Sequence, residues 1–385
     1  MISLEEAYQL SSDEVNQLLK KYVSPELQNL FSFFSFSKDI PKSSKGSYIT
    51  LSDGREILDI TGGIGVLNHG HNHGEILAAR ISYQKKNRME VHKNYLSQLY
   101  VALASNIAEI SPGDLKICFF PSSGSESVEG ALKMAFKRVN PNDSKQDRNI
   151  LIRSSQSFHG KLFGAGAATA SPELNYKFPK PFKTIDFERN NQKSFLNAIE
   201  KSKKGKNSKA FAIIYEPFSA SLCEDSSIEF LKLLRKEATK EDITLIIDEV
   251  YSGFFKTGPL FNFMYSEIIP DIVTFGKSFG GGKSSISGYI SKESIFKSAY
   301  GKSKYATLHS TTYAGLGEEA ATAIKSLEIA IRDNYEEKAL TLDKEISNIL
   351  LPLCKKSPLI KSVSGKGALW AIEVELLPLM KTFFL

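Results

Sequence analysis

From about residue 95 onward, short unbroken apolar runs alternate with stretches whose apolar residues recur every three or four positions. The runs are rich in Ile, Val and Phe and too short for helices, so they predict strands over 115–120, 149–153, 210–216, 243–248, 272–276 and 286–291. The periodic stretches predict helices over 95–110, 125–138, 228–238 and 318–332. Strands that are apolar at nearly every position need cover on both faces, and helices between them supply it. The pattern therefore implies an α/β fold around a largely parallel sheet. Earlier in the chain the rhythm differs. Ser3-Leu4-Glu5-Glu6 and Ser11-Ser12-Asp13-Glu14 read as capping boxes, followed by Val15, Leu18, Leu19 and Tyr22 at helical spacing until Pro25 stops the pattern. Residues 48–59 have strand character on both sides of Asp53-Gly54, which predicts a hairpin.

In sheets of this kind ligands collect where the carboxyl ends of the strands meet. Glu216, Asp248 and Lys277 fall at three such ends. Lys277 leaves the run Ile272-Val273-Thr274-Phe275 among Gly276, Ser278 and Gly280 to Gly282, which carry almost no bulk and are expected to leave the lysine room to swing. A surface turn is the ordinary place for a lysine. The glycines are not a nucleotide loop, because a P-loop ending at Gly282-Lys283-Ser284 would need glycine where Lys277 stands.

Three more stretches carry chemistry. Pro121-Ser122-Ser123-Gly124-Ser125 joins a strand to a helix, so backbone N–H groups and hydroxyls can converge on a phosphate at the helix N-terminus, although any capped helix after a turn looks similar. Asp248-Glu249 ends a strand predicted to be buried, where a carboxylate needs a cationic or hydrogen-bonding partner. Phe158-His159-Gly160 offers an aromatic ring and an imidazole that either stack on a flat ligand or pack on their own sheet.

Composition narrows the field. With 42% hydrophobic and 24% charged residues the chain is an ordinary globular protein, and 49 basic against 43 acidic residues leave only +6 over 385 positions. The single basic run, Lys201-Ser202-Lys203-Lys204-Gly205-Lys206, reads as a solvated loop, so neither nucleic acid nor a membrane is an expected partner. Cys118, Cys223 and Cys354 are few and far apart, and no signal peptide precedes them; reduced thiols and a cytoplasmic location are expected. His69, His71 and His73 would share one face of a strand, but no acid or cysteine accompanies them at ligand spacing, so a turn is expected rather than a metal site.

A phosphate cradle, a flat ring to stack, an acid for a ring nitrogen and a lysine for a Schiff base together specify pyridoxal phosphate. From about Tyr48 to Glu373 the sequence resembles a class III aminotransferase of the ornithine, acetylornithine and putrescine type. The resemblance implies fold type I, with a mostly parallel seven-stranded sheet in a large domain and a smaller α+β domain from both chain ends. The implied boundaries are 1–60 and 306–385 for the small domain and 61–305 for the large one. It further implies that Lys277 carries the cofactor as a Schiff base and shuttles the proton, that Asp248 pairs with the pyridine nitrogen, and that Val250 and Phe158 pack on the two ring faces. Ser123, Gly124 and Ser125 would bind the phosphate, His159 would lie beside the cofactor, Glu216 would lie near the substrate, and Gly65-Val66 would line the entrance. Thr312 would reach the phosphate of a neighbouring subunit in a homodimer with shared sites.

The sequence departs from the family at Ser125, where threonine is usual, at Gly74, and at Leu316-Gly317. After Glu373 no family motif is recognisable, including the arginine that binds a substrate carboxylate, so a shortened C-terminus is expected. The expected reaction moves an amino group from an aliphatic amine or amino acid to a keto acid such as 2-oxoglutarate. Asp114-Leu115-Lys116 resembles the putrescine and ornithine members, which favours an omega-amine donor. The same motifs would serve an aminomutase, a racemase or a decarboxylase, or a homologue that binds the cofactor without turning over.

Overall fold

A seven-stranded sheet is the frame on which the site is built. The structure is a computed structural model and describes residues 1–34, 36–92, 94–141, 148–171, 178–204 and 209–375. Its strands are β1 (Leu115–Phe119), β2 (Arg148–Ser154), β3 (Lys183–Phe187), β4 (Lys209–Tyr215), β5 (Thr244–Asp248), β6 (Ile272–Phe275) and β7 (Gly288–Lys292). They lie side by side in the order β1-β7-β6-β5-β4-β2-β3. All neighbours are parallel except at β7, which runs antiparallel to both β6 and β1. The carboxyl ends of the other six strands therefore share one edge of the sheet.

Alternation along the strands divides the core in two. Ile213, Tyr215, Leu245, Ile247 and Val273 pack on one face of the sheet. Ala212, Ile214, Ile246 and Ile272 pack on the other. The helices α1 (Gln98–Ile110), α3 (Gln192–Ser202), α4 (Ile228–Lys240) and α5 (Gly317–Arg332) cover the first face. The second is covered by α2 (Gly124–Val139), which contributes Val128, Ala131, Leu132, Met134 and Ala135. This two-sided cover is why the strands read as nearly unbroken apolar runs.

Two further pieces belong to the same part of the chain. Helix α6 (Tyr335–Lys356) buries little beyond Ala339. A hairpin of β8 (Ile360–Lys366) and β9 (Leu369–Val374) follows it and turns at Gly367, whose φ of 63° suits glycine. The chain divides into two compact units, Met1–Gly74 and Glu75–Leu385, and everything above lies in the second.

In the first unit both expected capping boxes form, with Ser3 and Glu6, and Ser11 and Glu14, exchanging bonds. Pro25 opens a further helix, Pro25–Phe33, instead of leaving a loop, because its missing N–H costs nothing at a helix start. Tyr48–Leu51 and Glu56–Leu58 make the expected antiparallel hairpin, and Pro41–Lys45 adds a third strand. The histidines are engaged with protein groups: His71 Nε2 lies 2.9 Å from Asp59, and the rings of His69 and His73 meet edge-on at 5.7 Å. Of the basic run at 201–206, Lys203 is paired with Glu200 and Glu241. The end of that run, and the chain end at 381–385, lie outside the described residues. All three cysteines are unpaired, and no helix among the described residues is long and apolar enough to cross a membrane.

Candidate active site

Asp248 ends β5 with its carboxylate buried and triply bonded. Oδ1 accepts from the Thr274 hydroxyl at 2.9 Å and from the Val250 N–H at 3.0 Å, and Oδ2 lies 2.7 Å from His159 Nδ1. Thr274 stands opposite Asp248 on β6, so strand register itself supplies one donor. Three such partners fix the orientation of the buried carboxylate. The sequence placed His159 beside the cofactor; the structure shows its imidazole, 2% exposed, bonded to Asp248. Its Nε2 is buried with no hydrogen-bond partner among the described residues.

Glu216 follows β4 and is also buried. Its Oε2 accepts from the Phe158 N–H at 3.0 Å and its Oε1 from the Ala220 N–H at 3.1 Å. Burial pushes its pKa up, and the nearby charge of Asp248 adds to that push. The backbone carbonyl of Glu216 accepts from Arg189 at 2.7 Å, which pins the strand end. Phe158, anchored through its N–H, remains 37% exposed.

Lys277 lies just past β6, at the start of a short 3-10 turn, with φ of 52°. A side chain in this left-handed region costs about 1 kcal/mol or more and persists only when its surroundings demand it. The side chain is partly buried, and this desolvation holds its pKa below that of an ordinary lysine, while the Asp248 charge pulls the other way. The flanking glycines have a different reason from the one the sequence suggested. A Cβ on Gly276 would come 2.6 Å from Ser287 Oγ, and Gly281 combines a φ of 60° with Ile76 at 2.9 Å from any Cβ. They admit close packing and a left-handed turn.

At a fourth strand end, that of β1, Ser123 caps α2 by accepting from the Glu126 N–H at 3.3 Å. Gly124 begins the helix, and a Cβ there would sit 2.6 Å from Val250 Cγ1. Ser125 packs its hydroxyl against Gly160, where any side chain would overlap it. The 16-residue helix thus presents an N-terminus of small, hydroxyl-bearing residues against Val250. Thr312 is exposed and takes no part in these bonds.

Two further buried groups lie beside the site, of which the sequence reading named Glu249 and missed Lys256. Glu249 bonds Ser252 and the Phe263 N–H, and burial raises its pKa to about 7. Lys256 donates to Ser278 Oγ at 3.0 Å, and burial, then the Lys277 charge, bring it down to about 7. Glu249 was expected inside because it ends an apolar strand run, whereas Lys256 belonged to no recognisable spacing and only the fold shows that it is buried. Their pH consequences are opposite. Glu249, raised, favours the folded state at low pH and loses that contribution as pH rises from 4.5 towards 7. Lys256, lowered, penalises folding fully below about 7, and the penalty disappears as pH rises towards the unfolded lysine value of 10.5. Lys256→Met is expected to raise stability at pH 7 by a few kcal/mol and to flatten the rise between neutral and alkaline pH. Urea unfolding at the two pH values measures both effects.

A lysine and a buried aspartate on adjacent parallel strands, with a helix N-terminus of small residues beside them, are what an enzyme that uses pyridoxal phosphate requires. The cofactor's groups find counterparts in the residues present: a glycine cradle that a Cβ would fill, a buried carboxylate, a buried unsatisfied imidazole nitrogen and a partly desolvated amine. The chain belongs to the class III aminotransferases, whose family model matches residues 37–381. Among solved structures it is similar to a thermostable (S)-enantioselective omega-transaminase from Thermomicrobium roseum, at 25% identity and a TM-score of 0.85, covering 95% of this chain and 85% of that one. A transaminase from the marine bacterium Virgibacillus matches at 24% identity and a TM-score of 0.82, over 95% of this chain and 84% of that one. The ornithine aminotransferase of Toxoplasma gondii ME49 shares the fold at 21% identity and a TM-score of 0.82, over 97% and 86%. The protein is accordingly a fold type I, pyridoxal-phosphate-dependent aminotransferase that takes an amine and a keto acid.

Proposed function

We propose that this aminotransferase draws its amino group from an aliphatic omega-amine of the ornithine or putrescine kind, passes it to a keto acid such as 2-oxoglutarate, and does so through Lys277. The observation that carries the reading is the half-buried Lys277 at the end of β6, within the field of the triply bonded Asp248 at the end of β5. The Ser123-Gly124-Ser125 segment would hold the phosphate, Asp248 the ring nitrogen, and Val250 and Phe158 the two ring faces. His159 supports the site by orienting Asp248, and Glu216 lies on the same edge near the substrate. Bound pyridoxal phosphate supplies an electron sink for the charge left on the substrate carbon.

The chain's own part is proton handling and positioning. Partly desolvated, Lys277 gives up its proton more readily than an ordinary lysine, so its amine can take the proton from the donor's amine-bearing carbon and give it back. His159 and Thr274 keep Asp248 fixed, so its charge stays aimed at one place. The similarity to an omega-transaminase and the residues Asp114-Leu115-Lys116 support the donor class.

Two further assignments belong to the same reading. The large domain would span 61–305, with a small domain from residues 1–60 and 306–385. The chain would act as a homodimer in the cytoplasm, with Thr312 completing the partner's phosphate site. Exposed Tyr95, Leu96 and Val101 border a cavity of about 440 Å³ that also includes Phe119, Tyr289 and His309, an apolar surface suited to a second copy.

A donor panel tests the substrate class. Single-turnover loss of the cofactor's visible absorbance is followed with diamines, omega-amino acids, monoamines and alpha-amino acids, with 2-oxoglutarate restoring it. Fastest turnover with diamines or ornithine-like donors is expected. Preference for alpha-amino acids would remove the omega-amine assignment.

A further inference from the structure

Tyr251 directly follows the Val250 that backs Gly124, and neither the family motif nor the sequence spacing assigns it a task. Its ring is fixed on one side by stacking against Phe218, with centroids 6.4 Å apart and planes 23° from parallel. Phe218 belongs to a small apolar cluster with Cys223 and Leu369, against which Tyr251 packs. The Nζ of Lys277 lies 5.6 Å from the centroid of the Tyr251 ring, and the Nζ of Lys256 lies 5.8 Å from it. One aromatic ring therefore has two lysine amines within reach of its π system.

Both amines cannot hold a proton cheaply beside the same ring. Lys256 is fully enclosed, rests on Ser278 Oγ and has lost most of its hydration, so it is the one that yields its proton. Lys277 is less enclosed and has the Asp248 carboxylate in its field, so of the two it holds its proton the more readily. A ring face attracts an ammonium through its quadrupole, most strongly where water is partly excluded. Such a contact also gives a long, flexible side chain a defined resting place.

We infer that Tyr251 is a positioning residue for Lys277: its ring face is the platform on which the released ammonium of Lys277 rests between proton transfers. This rests on the assignment of Lys277 as the reactive lysine, but it concerns only the contact between that amine and the ring. The charged and titratable groups around the pair are Asp248 on β5, Glu249, Lys256 and, beside Tyr251 itself, Cys223. Of these Asp248 and the ring favour the ammonium, and burial opposes it.

The test uses the full-length chain freed of cofactor and compares wild type with Tyr251→Phe and Tyr251→Leu. Leucine is chosen over alanine so that the site does not fill with water. Acetylation of Lys277 by trace acetic anhydride is followed against pH by peptide mass spectrometry, and the midpoint reports where that amine loses its proton. Tyr251→Phe, which keeps the ring face, should leave the midpoint in place. Tyr251→Leu should move it down by about 0.4 to 1.5 pH units. In the cofactor-loaded protein Tyr251→Leu should lower kcat with little change in KM for the donor, and Tyr251→Phe should restore it. An unchanged or raised midpoint in Tyr251→Leu overturns the platform. Equal shifts in both variants also overturn it, because they would assign the effect to the hydroxyl. Should Lys277 fail to carry the cofactor, borohydride mapping would show that separately, without altering these midpoints.

Discussion

Lys277→Ala is expected to abolish steady-state transamination, with the rate falling at least a thousandfold, and to remove the visible absorbance that the wild-type chain gains from pyridoxal phosphate. The size follows from the work assigned to one amine. A positioned general base contributes about 10²–10⁴-fold, and the same side chain is the proposed anchor of the cofactor. Alanine leaves the phosphate cradle and Asp248 in place, so noncovalent cofactor binding should survive in weakened form. Addition of a small external amine should return part of the activity, because the base is then supplied from solution. Arginine is a poor substitute: it stays protonated at any working pH and cannot act as the base. Spectra and initial rates with and without the added amine measure these effects together.

The second large effect is expected at Asp248. Asp248→Asn keeps the shape and can still accept from Thr274 and from the Val250 N–H, but it removes the charge. Turnover should fall by about 10²–10³-fold, the kinetic equivalent of about 3–4 kcal/mol, while the unfolding midpoint stays close to wild type. Asp248→Ala removes the hydrogen bonds as well and leaves the buried His159 imidazole without its partner. That variant should lose stability too, by about 1–3 kcal/mol, the cost of leaving a buried polar group without its partner. Comparing the two by stopped-flow kinetics and denaturant unfolding separates the electrostatic contribution from the structural one. Equal stability losses in both variants would show that the carboxylate's charge matters to the fold more than to the chemistry.

Much of the frame was legible because the energetics that build it act locally. The six predicted strands fall within a residue or two of β1, β2 and β4 to β7, since strands covered on both faces must be apolar at nearly every position. Strand β3 was missed for the complementary reason. Lys183-Thr184-Ile185-Asp186-Phe187 lies at the sheet edge, and its polar residues alternate with apolar ones in a stretch too short to stand out. Helix α6 was missed because it buries few residues and leaves Ile349, Leu351 and Leu353 exposed, which blurs its periodicity.

The site shows the same division. Asp248, Lys277 and Glu216 could be placed from sequence because each directly follows or ends an apolar run, and the sheet's own rule brings such positions together. The partners that fix them could not. His159 meets Asp248 across 89 positions of chain and Thr274 meets it across 26, joined only by strand register and loop packing. Lys256 and Tyr251 lie in the winding stretch after β5, where no period marks which side chains point inward. The role of the glycines beside Lys277 was likewise set by neighbours, Ser287 and Ile76, that no local motif reveals.

The claim on which the rest depends is that Lys277 is the lysine that carries pyridoxal phosphate. Reducing the cofactor-loaded protein with borohydride, digesting it and locating the added pyridoxyl mass by tandem mass spectrometry tests that claim directly. The account predicts one modified peptide, with the mass on Lys277 and none on Lys256 or Lys283. Modification at another lysine, or a loaded protein that gains no covalent mass on reduction, would contradict it.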